Sequence, residues 1–163
     1  MQEKSDGIDV LRWRPLFVMR LIVGYDRAYH IGSAPSGGRS MFPVDGGRFE
    51  GDRLRGAVNP DGADWVQWRS DGAFMIDVRL TLMTDDGAPI AMSYVGIAHA
   101  NPATMERFKR RENLAFSDIY TRTTLRFETA DSRYYWLNAI VAVANGMRTP
   151  PPNGPLYHVF EIL

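Results

Sequence analysis

Turn signals punctuate this chain at intervals that leave room for little besides short strands. Asp45-Gly46-Gly47, Asn59-Pro60-Asp61-Gly62, Ser70-Asp71-Gly72 and Asp85-Asp86-Gly87 all place glycine directly after a residue that tolerates tight bends. Asp-Gly pairs supply the positive φ of hairpin turns, so each of the four is expected to join two antiparallel strands. The segments 48–58, 65–69, 73–83 and 88–98 between them have strand length.

The rest of the chain extends the pattern. Leu16–Val23 is bulky and β-branched and is closed by Gly24, which predicts a strand; Ile31–Arg39 is rich in Gly, Ser and Pro and reads as a loop. One helix is expected, with Asn101 as its N-cap, Pro102 in its first turn, and Met105, Phe108 and Glu112 at helical spacing. Residues 119–128, 134–145 and 156–163 predict three more strands, with Pro150–Pro155 as a stiff connector. Residues 1–14 lack periodicity and read as an N-terminal arm, leaving 15–163 as a single domain. Seven to nine consecutive strands with one short helix predict an all-β, antiparallel up-and-down β-barrel, in which closure removes exposed edges.

Composition excludes several function classes. The 163 residues carry 19 basic and 19 acidic side chains, so the electrostatic footprint of a non-specific nucleic-acid binder is missing. Without cysteine there is no disulfide scaffold, zinc-thiolate site or thiol nucleophile. No apolar run approaches the ~20 residues of a membrane helix and the first residues are polar, which predicts a cytoplasmic protein with no membrane partner.

Side chains alternate along a strand, so each strand divides into two faces. Over 73–82, Phe74, Ile76, Val78, Leu80 and Leu82 oppose Ala73, Met75, Asp77, Arg79 and Thr81. Over 122–129, Arg122, Thr124, Arg126 and Glu128 oppose Thr123, Leu125, Phe127 and Thr129, and over 134–143 Tyr134, Trp136 and Asn138 share a face. Two assignments fit. Either the apolar faces fill the barrel and the charges meet water, or the mixed faces line a lumen and the apolar faces are covered from outside. In the second case Asp77 and Arg79, about 6.5 Å apart along one face, could act as base and oxyanion anchor.

Other motifs are sparse. His30, His99 and His158 have no metal-ligand spacing, so no metal is expected, although His99 could serve as an acid or base. No nucleophile elbow, Walker loop or dinucleotide fingerprint occurs, and no cofactor is expected. Asp64-Trp65 and Tyr135-Trp136-Leu137-Asn138 add a carboxylate, an amide and aromatic walls suited to an organic ligand.

Several segments together resemble one family, the DUF3237 or UPF0311 proteins: Gly46-Gly47-x-Phe49-Glu50-Gly51, Leu54-Arg55-Gly56, Gly62-Ala63-Asp64-Trp65, Asp77-x-Arg79-x-Thr81-Leu82-x-Thr84-x-Asp86-Gly87, Arg122-Thr123-Thr124, Phe127-Glu128-Thr129 and Tyr134-x-Trp136-Leu137-Asn138. The matches run in order from about Pro15 to the C-terminus. The resemblance implies a compact β-barrel that usually pairs with a second copy, here a homodimer. It also makes the matched polar positions Glu50, Asp64, Asp77, Arg79, Arg122, Glu128 and Asn138 candidates for a lumen site.

The combined expectation is a barrel of the lipocalin or allene-oxide-cyclase kind acting as a cofactor-free enzyme. Its partner would be a small aromatic, polyketide- or terpenoid-like molecule, and its chemistry proton transfer: isomerisation, cyclisation or dehydration. Asp77, Arg79, Asp64, Glu128 and His99 are the candidate catalytic residues; Glu50, Trp65, Tyr94, Arg122, Tyr135, Trp136 and Asn138 are the candidate substrate-binding residues. The alternatives are a non-catalytic ligand-binding barrel and a structural subunit. Ionisable residues converging from at least three strands on a closed pocket would favour the enzyme, and an entirely apolar lumen the binder.

Overall fold

The computed structural model describes residues 9–148 and 153–163. Residues 1–8 of the expected arm and 149–152 of the proline-rich connector lie outside the described residues. The first strand, β1, runs Trp13–Val23, and a 3-10 turn at Tyr25–Arg27 separates it from β2, Tyr29–Ala34. Then come β3 (Gly37–Glu50), β4 (Arg55–Val58), β5 (Gly62–Trp68), β6 (Phe74–Thr84) and β7 (Pro89–His99). Helix α1 (Pro102–Lys109), β8 (Tyr120–Glu128), a 3-10 helix (Tyr135–Ala139), β9 (Ala142–Arg148) and β10 (Asn153–Ile162) complete the chain. All the strand pairings are antiparallel, and β1 pairs with both β10 and β3. The result is a closed eight-stranded up-and-down barrel.

The ten strand segments make eight staves because two staves are broken. β1 and β2 both pair with β3, and β4 and β5 both lie between β3 and β6. Two of the four expected hairpins are therefore real: Ser70–Gly72 joins β5 to β6 and Asp85–Gly87 joins β6 to β7, with Gly72 and Gly87 at φ 86° and 90°. The other two signals mark irregularities within a stave. Asn59–Asp61 interrupts β4/β5, and Gly46-Gly47 lies inside β3, where a register shift against β1 bends the strand. A Cβ on Gly47 would collide with the Arg20 carbonyl, so glycine there permits two backbones to approach rather than a chain reversal. The expected loop at 31–39 is instead the hairpin of β2 and β3.

The alternation of β6 is reproduced in its burial, with Phe74, Ile76, Val78, Leu80 and Leu82 inside and Asp77, Arg79 and Thr81 exposed. Apolar faces fill the barrel; the assignment of the mixed faces to the lumen is overturned. The physical reason is desolvation: turning Asp77, Arg79, Arg126 and Glu128 inward would strip water from two carboxylates and two guanidiniums, a cost that an apolar filling avoids.

One end is sealed. Phe17, Met19, Phe49, Leu82, Ile90, Met92, Leu125 and Phe127 pack there, with the Phe17 ring 5.5 Å from Phe49 and 6.1 Å from Phe127. The expected strand over 134–145 begins only at Ala142, because residues 135–139 coil into a plug that drives Leu137 to full burial. Asn138 braces the plug, accepting from the Thr129 amide at 2.9 Å and donating to the Thr129 and Tyr135 carbonyls. Nearby, buried Glu161 accepts from Arg14 at 2.7 Å and from Arg53, whose guanidinium lies 4.1 Å from the Trp136 ring centroid. The other end carries α1, capped as expected by Asn101, whose side chain accepts from the Thr104 amide at 2.9 Å.

Candidate active site in the open half of the barrel

The lumen beneath α1 is not filled. A cavity of about 330 Å³ opens there, at the lower end of the roughly 300–1,000 Å³ usual for small-molecule pockets. Phe42, Val66, Trp68, Phe74 and Phe108 form its walls, and a smaller void of about 70 Å³ shares Asp64, Phe74, Phe108 and Tyr157 with it.

Its polar groups arrive singly from different staves. Asp64 faces inward on β5 with Val66 and Trp68, because alternation turns Trp65 outward, where it is 48% exposed. The β5–β6 ladder lapses between the pairs Asp64↔Val78 and Gln67↔Met75, and there the Asp77 amide donates to Asp64 Oδ1 at 3.3 Å. Burial, only partly offset by that hydrogen bond, pushes the Asp64 carboxyl up to about 7.

Tyr94 of β7 and Tyr157 of β10 are buried, with ring centroids 5.5 Å apart. Burial raises both phenols, and nearby Asp64 pushes each further in the same direction. At the rim, His30 Nδ1 lies 3.0 Å from Ser40 Oγ, which also accepts from Trp68 Nε1 at 3.1 Å. Lys109 and Arg111 complete the mouth.

Of the residues singled out from the sequence, the cavity gathers Asp64 and Tyr94. Asp77, Arg79 and Glu128 are exposed on the outer wall; Arg79, Glu128 and Asn138 border an open groove of about 780 Å³ on the outside of the barrel. Exposed His99 stacks on Tyr120 at 4.8 Å, and Arg122 covers the same ring at 4.6 Å. Glu50 pairs with Arg48 at 3.2 Å on the surface, Tyr135 is 65% exposed, and Trp136 lies under Arg53 at the sealed end. Sequence reasoning missed Tyr157, His30, Lys109 and Arg111 as cavity residues. A signal for Tyr157 existed: alternation from buried Val159 and Glu161 sets it on the inner face. Among the described residues no three His, Asp or Glu side chains gather as a metal site, and no helix is long and apolar enough to cross a membrane.

Closure of eight antiparallel staves, a sealed end and an open end with an acidic, aromatic lumen define a small up-and-down barrel with an internal cavity in its open half. The chain belongs to the family described as protein of unknown function DUF3237, whose model matches residues 12–162. A UPF0311 protein of Rhodopseudomonas palustris is 32% identical over 117 residues, 72% of this chain and 76% of the relative. A UPF0311 protein of Bradyrhizobium diazoefficiens matches at the same identity and coverage. Among solved structures, a conserved protein of unknown function from R. palustris superposes with a TM-score of 0.89 at 28% identity, covering 96% of this chain and 100% of its own. A beta-barrel like protein from Acinetobacter baumannii AYE gives 0.81 at 29%, covering 98% and 100%. A structure described as an enzyme from Penicillium herquei shares the fold, with a TM-score of 0.63 at 21% identity over 91% of this chain and 94% of that one.

Proposed function

We propose that this barrel is an enzyme that moves a proton on a small, largely aromatic organic substrate held in its open half, in an isomerisation, cyclisation or loss of water. The observation that carries this reading is the convergence of Asp64 from β5, Tyr94 from β7 and Tyr157 from β10 on one aromatic-walled cavity. A carboxyl poised at about 7 is partly ionised at neutral pH, so it can take a proton from carbon or oxygen and return it elsewhere. The tyrosines, both held protonated by burial, bring two phenol donors to the same cavity, where either can donate to a developing enolate or phenolate oxygen. Aromatic walls exclude water and hold a planar body.

Deuterium exchange at the activated carbon of 2-tetralone, a bicyclic aromatic ketone, tests this in D₂O by NMR. Wild type should accelerate exchange over buffer, with a rate rising as pH passes through about 7. Asp64→Asn should abolish the acceleration, and Tyr157→Phe should reduce it by about 100-fold, the usual loss on removing an oxyanion donor. Full rate in Asp64→Asn would refute the reading. Binding of the ketone with no exchange would favour the ligand-binding barrel.

A further inference from the structure

The mouth of the cavity carries a residue whose placement works against the fold. Helix α1 ends in a complete Schellman arrangement: the Arg111 amide donates to the Phe108 carbonyl at 2.9 Å and the Glu112 amide to the Arg107 carbonyl at 3.1 Å. That arrangement requires a left-handed residue after the C-cap, a position normally held by glycine. Here it is Arg111, at φ 60°. The other cations around this helix end are neutralised: Arg107 by Glu112 and Asp118, Arg110 by Glu112, and Lys109 by Glu106 at 2.7 Å. Among the described residues Arg111 has no carboxylate partner. Its guanidinium stacks on the Tyr25 ring, 4.5 Å from the centroid, reaches the Tyr25 carbonyl at 3.4 Å, and borders the cavity. Stacking holds the plane in one orientation and leaves its other N–H groups to a ligand.

Resting on the lumen reading above, we infer that the substrate is an aromatic acid whose carboxylate is held by Arg111 at the mouth while its ring enters toward Asp64 and Tyr157. A backbone position that disfavours a side chain yet carries arginine points to a use for that side chain. A planar guanidinium matches a carboxylate in a two-bond fork, and with Lys109 already paired to Glu106 it is the rim cation left for an anion. Inside, the walls are aromatic and the acidic group is Asp64, so an anion entering ring-first keeps its charge away from that carboxylate.

Titration calorimetry with 2-naphthoate and its methyl ester decides the matter on the intact chain. The two probes share a bicyclic body and differ in charge. Wild type should bind the acid at least about tenfold more tightly than the ester, as a charge-assisted hydrogen-bond pair supplies. Arg111→Gly, which suits the left-handed backbone, should keep or raise the melting temperature while the acid and ester come within about twofold. Arg111→Lys should retain part of the preference. Equal affinity of wild type for both probes, or a preference that survives Arg111→Gly, overturns the inference and leaves the lumen reading standing. If wild type binds neither probe, both fall.

Discussion

Asp64→Asn is expected to stabilise the protein, and by an amount that depends on pH. In the unfolded chain the carboxyl titrates near 3.8; in the barrel burial raises it to about 7. Well below 3.8 both states are protonated and the carboxyl imposes no cost. Between about 4 and 7 the unfolded chain releases a proton that the folded one retains, so this residue's contribution to stability falls as pH rises. Above 7 the cost is constant. A shift of about three units corresponds to about 4 kcal/mol at most. Asparagine can still accept the Asp77 amide and has no charge to desolvate. Denaturant unfolding of wild type and variant across pH 4–9 should therefore give a stability difference that grows with pH by up to about 1.4 kcal/mol per unit and levels above neutrality. In thermal melts near pH 8 the variant should gain up to roughly 8–16 °C, at 2–4 °C per kcal/mol. A difference independent of pH would mean that the carboxyl titrates normally, and the argument for Asp64 as a poised acid–base would collapse with it.

Two further expectations concern the sealed end and the bent stave. Glu161→Ala should cost about 2 kcal/mol, because it removes a buried carboxylate hydrogen-bonded by Arg14 and Arg53. The hydrogen bond from Arg14, ahead of the one from Arg53, holds the Glu161 carboxyl below its ordinary value; its stabilisation is present above pH 4.5 and fades as pH falls through the lowered value, so the penalty in melts at pH 7 should shrink as the melts are repeated at progressively more acid pH. Gly47→Ala should cost more than about 2 kcal/mol in urea unfolding, since its Cβ meets the Arg20 carbonyl at a positive φ; a neutral effect would show that the two strands can separate there freely.

Which parts of this architecture can be read from sequence follows from how local their causes are. The helix start is written in Asn101-Pro102, and the inner face of β6 in a strict alternation, because a cap and a pleat depend on neighbours in the chain. Gly46-Gly47 misleads because a hairpin and a close strand crossing both ask for glycine; only the partner, Arg20, distinguishes them. Residues 135–139 have bulky side chains suited to a strand, yet they coil because Leu137 is needed to stop the barrel. The site is harder still. Strand by strand the polar faces stand out, and they are the ones that meet water. The cavity's polar groups are single interruptions of apolar faces, Asp64 on one stave and Tyr94 and Tyr157 on two others, and no local pattern joins them. Arg111 is visible only once the backbone at the end of α1 is known.

The two ends of the barrel divide its obligations. Phe17, Phe49, Phe127, Leu137 and the Glu161 clamp anchor one end, while the groups bordering the cavity mouth come from β2, the end of α1 and the 3-10 turn after β1. Substitutions at the rim therefore fall where little of the folding energy resides. A lineage of such barrels could exchange one ligand for another by editing the rim while inheriting its foundation unchanged, and a laboratory library confined to Tyr25, His30, Lys109 and Arg111 would explore specificity with most of its members still folded.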